Sequence, residues 1–271
     1  SRRQPTSQQP TWRLLPGKGA GFRRPSRPQP TTPAPIAAHL ATPAPIAAYV
    51  NGPRAQINRR LKSPMQRPLT LPDEMLAVAV AAEWEAQEEW IEPASMPLSG
   101  LASTAVDQIA DERASVISTL LAYLRTDTVC FFAEGDEEVI LLKRQKETFL
   151  PLIEWMKSEH GIELNQRFGC DVKPTPKEAI DKARLILDDL SDPHLAALQC
   201  STTECKSLTL GLALLGRRIN ADEAEKAARL EESIQIERWG LVEGQHDYDI
   251  TRTKLRLTSA SFFADLLPKA A

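Results

Sequence analysis

The stretch LEESIQIERWGLVEGQHDYD, Leu230 to Asp249, holds the densest set of side chains able to do chemistry. Glu243, His246, Asp247 and Asp249 carry the oxygen and nitrogen donors that metals take. Their spacing matches no standard metal loop, and one histidine beside three acids more often completes a hydrogen-bonded turn. Glu231 and Glu232 form a carboxylate pair, but adjacent helical residues point about 100° apart and do not converge on one proton. Glu231, Gln235 and Arg238 fall along one side of a helix. That polar strip suits recognition of a protein partner better than proton transfer, and its plain alternative is a solvated helix face.

No GxGxxG, phosphate-binding GxxxxGK[ST], GxSxG or HExxH sequence occurs anywhere in the chain. Neither a catalytic residue nor a cofactor is therefore expected, and no metal. Cys130, Cys170, Cys200 and Cys205 include no CxxC pair and no finger spacing, so they read as buried thiols of a reducing compartment. No run approaches the roughly 18 apolar residues that a membrane-spanning helix needs.

These residues need a scaffold, and the charge distribution shows where it starts. Ser1 to Pro72 contains no Asp or Glu but ten Arg and two Lys, together with 14 of the 21 prolines. The remaining 21 basic and 36 acidic residues give the rest of the chain a net charge of −15. The first part, rich in Arg and Ser, has the composition of an organelle transit peptide. Its rival reading is a basic arm for RNA, since phosphate contact needs only Lys and Arg. TPAPIAAHL and TPAPIAAYV then repeat within residues 32–50. Two copies with alternating prolines cannot build a solenoid, and they read as an extended, polyproline-like tether.

Helical signals begin at Leu71-Pro72-Asp73-Glu74, where proline and acids suit a first turn. Leu76, Val80 and Trp84 share one face, which places Trp84 in the core. Further helices are expected from about Ser99 through Ile109, from Glu112 to Leu124, and from Glu138 to Thr148. Pro151 is expected to open a separate turn through Trp155 that ends at Gly161. DTVCFFA, Asp127 to Ala133, reads as a strand. PKEAIDKARLILDDL brings Ile180, Ala183, Leu187 and Leu190 together. Pro193 to Cys200 and Ser207 to Leu215 form an apolar pair. Asn220 and Glu223 make a capping box for the longest helix, carrying Ala227, Leu230 and Ile234 to Trp239 before Gly240. A short helix from Ser259 to Leu267 closes the chain. The expected fold class is α+β and predominantly α, a small β-containing N-terminal domain followed by a helical bundle.

Five blocks carry a resemblance: KSPMQRPLTLP (Lys62 to Pro72), AAEWEAQ (Ala81 to Gln87), IEPASMPLSGLASTAVD (Ile91 to Asp107), LRTDTVCFFAE (Leu124 to Glu134) and LEESIQIERWGLVEGQHDYD. Together, and in this order, they resemble the mitochondrial F1-ATPase assembly factor 2 family, with WGLVEGQHD most similar to plant and algal members. The resemblance covers about Asn58 to Leu267. It implies a non-enzymatic chaperone in the mitochondrial matrix that binds unassembled F1 alpha subunit and shields its beta-facing surface during ATP synthase assembly. It implies neither a small-molecule substrate nor a nucleic-acid partner. The family's important acidic position falls within Leu230-Glu231-Glu232. The candidate partner-binding residues are Glu231, Glu232, Gln235, Arg238, Trp239, Glu243, His246 and Asp247. Trp84, in the family's EW motif, is expected to serve folding, and Pro97 and Gly240 are likewise structural. One departure stands out: GFRRPS and YVNGPRAQINRRLKSP are the counterparts of a β-rich region, and Pro25, Pro28 and Pro53 interrupt it. The expected organisation is a basic, proline-rich transit and tether segment at 1–48, an eroded β remnant at 49–72, and a mainly helical domain at 73–271. The alternative is a structural subunit of a large mitochondrial complex, ATP synthase or mitoribosome, that reuses the chaperone fold.

Overall fold

The computed structural model describes residues 46–47, 49–50, 59–135, 138–169 and 173–268. The basic leader and most of the proline tether lie outside the described residues, as does Cys170. Strand β1 (Ile46–Ala47) pairs antiparallel with β4 (Thr70–Leu71), and β2 (Tyr49–Val50) with β3 (Arg59–Arg60). Pairing therefore begins inside the second repeat copy, just before the expected boundary at residue 49. The ladder is short, and Lys62 to Pro68 adds a single bridge.

Helix α1 (Glu74–Glu85) starts where the acids predict, with the Asp73 carboxylate accepting from Met75 N at 2.8 Å and Leu76 N at 3.2 Å. Leu76 and Val80 are buried, while Trp84 is half-buried against the same cluster. Helices α2 (Pro97–Thr104) and α3 (Ala110–Arg125) were expected as separate segments. A kink at Glu112, where φ −121° and ψ 24° leave the helical region, separates them where the second segment is expected to start, and ahead of it the chain runs through one wide π-helical turn, Ala105–Ile109. That turn carries Asp107, which accepts from the Ser63 hydroxyl at 2.6 Å and from Met65 N at 3.1 Å. The wider turn thus anchors the loop that leads into α1.

The segment Asp127–Ala133 is not one strand. Thr128–Cys130 forms a 3-10 turn, and only β5 (Phe131–Phe132) is extended, parallel to β6 (Arg167–Phe168). Asp127 causes the turn: its carboxylate accepts from Val129 N and is fully buried. It also accepts from Ser207 Oγ at 2.5 Å and from Thr209 N and Oγ1, each at 2.9 Å. The start of α7 (Leu208–Leu215) is thereby fastened to the end of α3. Full burial pushes this carboxyl above its ordinary range, while the four donors pull the other way.

Helix α4 (Val139–His160) is the longest among the described residues and runs straight through Pro151. The expected break does not occur because Pro151 and Glu147 are exposed, so the carbonyl left without an N–H faces water. Phe149, Leu152, Ile153 and Met156 are buried around it and hold both halves in place. Gly161, at φ 64°, ends the helix as expected.

Helices α5 (Lys177–Asp189), α6 (Asp192–Cys205) and α7 fill the main core with Ala183, Leu187, Leu195, Leu198 and Leu210. The helix after Asn220 has its capping box but divides at Arg229 into α8 (Ala221–Ala228) and α9 (Leu230–Trp239). At that joint Arg229 is mostly buried and pairs with both Glu225 and Glu232. The last helix, α10 (His246–Asp265), begins 13 residues before the expected Ser259. Thr251, Thr253 and Thr258 weaken its local propensity. Burial of Thr253, Leu257, Ala260 and Phe263 on one face against α6 and α8 overrides that weakness.

Candidate functional site

On α9, Glu231, Gln235 and Arg238 are all exposed, and Gln145 of α4 and Glu138 at its start reach the first and the last of them. Gln145, 1% exposed in α4, accepts from Ala133 N at 2.7 Å and donates to Glu231 Oε1 at 3.0 Å. The Arg144 guanidinium grips Glu237 through two bonds of 2.7 and 2.9 Å. This hydrogen-bonded arginine holds the Glu237 carboxyl below its usual range. Arg238 meets Glu138 at 3.3 Å. Glu232 turns to Arg229. Beneath this polar clamp only Leu230 and Ile234 of α9 are buried. Among the predicted residues, Glu231 and Arg238 tie α9 to α4 while staying exposed, Glu232 pairs locally with Arg229, and Gln235 is exposed.

The chain beyond the clamp is different. Gly240 takes φ 88° and ψ 166°, a backbone region open essentially to glycine alone, and turns the chain out of α9. Trp239 is 76% exposed beside it, followed by Leu241 at 45%, Val242 at 54% and Tyr248 at 66%. Large apolar side chains scattered singly over a surface are ordinary, but four in one short segment are not. His246 and Asp247 support the turn rather than a metal: His246 Nδ1 accepts from Val242 N at 3.1 Å, and Asp247 Oδ2 lies 3.5 Å from Gly244 N. Glu243 is exposed at the tip. Among the described residues no three His, Cys, Asp or Glu side chains gather as metal ligands would.

The residues assigned to folding are placed as follows. Glu83, next to Trp84 in the EW pair, accepts from Leu98 N at 2.8 Å and Ser99 N at 2.7 Å. A carboxylate from α1 thereby caps α2, where Pro97 occupies the first turn. Gly240 supplies the exit from α9 just described. Sequence reasoning missed Arg144 and Gln145, which position the α9 surface. Both lie inside a long helix, where such residues ordinarily face solvent, and no local signal marks them.

Known proteins share this fold. Residues 57–157 match the sequence model of the family described as ATP12 chaperone protein. Protein atp12, mitochondrial, of Schizosaccharomyces pombe is 31% identical over 216 residues, which span 76% of this chain and 74% of that protein. Protein ATP12, mitochondrial, of Saccharomyces cerevisiae is 27% identical over 248 residues, covering 76% of each. The crystal structure of Atp12 from Paracoccus denitrificans superimposes with a TM-score of 0.72 at 33% identity, over 77% of this chain and 88% of that one.

Proposed function

Since the chain belongs to the ATP12 chaperone family, we propose that it binds the unassembled alpha subunit of F1-ATPase and shields the surface that later meets the beta subunit. The observation that carries this reading is the exposed apolar segment from Trp239 to Tyr248, mounted on a helix that α4 holds in place. An unassembled subunit exposes an apolar interface that aggregates when left alone. A surface that covers it must itself be apolar, accessible and firmly based, so that little ordering entropy is lost on contact. The candidate partner-binding residues divide accordingly. Trp239 touches the client, Gln235, Glu243 and Asp247 rim the contact, and Glu231, Glu232, Arg238 and His246 hold the platform. The chaperone reading assigns no catalytic step. Both yeast relatives are named as mitochondrial, and the matrix is the compartment in which this client is assembled.

The test is aggregation of purified alpha subunit diluted from denaturant, followed by light scattering with and without this chain. Suppression at near-equimolar chaperone, and release of alpha when beta is added, are expected. Stoichiometric retention of the chain in finished ATP synthase, with no effect on alpha solubility, would defeat the proposal and favour a structural subunit.

A further inference from the structure

A second surface adjoins the α9 tip and shares Tyr248 with it. Helices α2, α6 and α10 enclose an open groove of roughly 650 Å³. Met96 and Leu101 form one wall, Tyr248 and Leu255 the other, and Ala196 and Gln199 lie on the floor. Apart from Pro93, Ala94 and Met96 at the entry to α2, the lining is helical, so there is no sheet edge to which a strand could add. Recognition must come through side chains.

Three features define the occupant. On α10, Tyr248 and Leu255 line the groove and Phe262 continues their row beyond it; the three recur every seven residues and remain 66, 45 and 48% exposed, the spacing of a helix-pairing seam. Opposite them Gly100 faces open space: a Cβ added there would meet nothing within 4 Å. A second helix backbone can therefore come close, as small residues permit. Finally, the groove is positively charged. Arg252 and Arg256 both line it and both reach Glu204, at 3.5 and 2.5 Å. That carboxylate is nearly buried, while the two arginine side chains are 49 and 43% exposed. One carboxylate against two guanidiniums leaves a net positive charge, and no acidic side chain lines the groove among the described residues. Gln199 adds an acceptor, because its shielded Oε1 has no hydrogen-bond partner among the described residues.

We propose that this groove receives an amphipathic helix of the client, apolar along one face and carrying carboxylates on its flank that meet Arg252 and Arg256. The inference rests on the chaperone reading and specifies the chemistry of the segment that is held. A helix laid in such a groove is read through anchors at i, i+3, i+4 and i+7.

Three fluorescein-labelled peptides of about 20 residues, the length of α10, test it by anisotropy against the full chain. The first has Leu at heptad positions a and d and Glu at e and g. The second replaces each Glu with Lys, and the third scrambles the Leu positions of the first. The Glu peptide should bind. The Lys peptide should bind at least about tenfold more weakly at low salt, with the gap closing as salt rises. The scrambled peptide should not bind. Gly100→Leu fills the groove from α2, where helix propensity favours Leu, so Tm should hold or rise while binding of the Glu peptide is lost. Equal binding of the Glu and Lys peptides, or Gly100→Leu binding like the wild type, overturns the proposal. So does a dimer that Gly100→Leu abolishes, which would give the groove to a second copy. If no peptide binds but the chain still keeps alpha subunit soluble, the groove assignment fails and the chaperone reading stands. If alpha subunit is not protected either, the chaperone reading fails with it.

Discussion

Trp239→Ala separates the work of the apolar tip from the stability of its base. The side chain is 76% exposed, so the fold loses little apolar burial with it. Surface substitutions of this kind change stability by about 0.5 kcal/mol or less. Binding is another matter. A tryptophan that becomes fully covered at the centre of an interface typically contributes about 2–4 kcal/mol. At about 1.4 kcal/mol per tenfold, that is a loss of roughly 30- to 700-fold in affinity for the alpha subunit. Two measurements on the same preparation decide the matter: a urea melt, and the chaperone concentration that halves light scattering by refolding alpha subunit. The expected result is an unchanged melt with a protective concentration raised by more than about tenfold. Unchanged protection would refute the assignment of Trp239 to the contact. A large fall in stability would refute its description as a solvent-facing side chain. Leu185→Ala provides a comparison, being 70% exposed on α5, outside both the tip segment and the α10 face.

Asp127→Ala removes the acceptor for two backbone N–H groups and two hydroxyls, all of them buried. Stranding them should cost about 3–5 kcal/mol even after relief of a buried charge, read as a fall in the urea midpoint. A change below about 0.5 kcal/mol would show that the α3–α7 tie carries no stability. The native carboxyl is raised relative to the unfolded chain, so it holds its proton to higher pH. Its contribution therefore declines as pH rises from the unfolded value, near 4, through the native one, and Asp127→Asn should lack that slope. In a Cys170→Ser background, burial pushes the Cys130 and Cys205 thiols up to about 12. Neither should react with Ellman's reagent at neutral pH until the protein unfolds, and prompt labelling of either would contradict their burial.

Much of the helical body was legible because its cues are local. Asp73 and Asn220 announce helix starts through their own side chains, and Gly161 and Gly240 announce stops through backbone freedom. The misreadings of α4 and α10 share one cause: a long-range contact overrode a local cue. Pro151 predicts a break, but a buried face on both sides and a solvent-facing gap carry α4 through it. The last helix is expected only from Ser259, yet α6 and α8 bury Thr253, Leu257, Ala260 and Phe263 and extend α10 back to His246. Arg229 predicts nothing, but its two acidic partners sit where α8 and α9 divide.

The same distinction explains the candidate site. Periodicity placed Glu231, Gln235 and Arg238 on one side of a helix correctly, because that follows from 3.6 residues per turn. It could not say what lies opposite. Arg144 and Gln145 come from more than 80 residues earlier, and they tie one edge of an otherwise exposed strip to α4. With Glu231 and Arg238 partnered by α4, the proposed contact falls on Trp239, which the sequence also named, and on Leu241, Val242 and Tyr248, which it did not. Polar groups that orient and apolar groups that cover is a division of labour suited to a chaperone. Its platform must keep its shape while the client is bound and released, and a tip held by directional bonds achieves this without burying the apolar surface it has to offer.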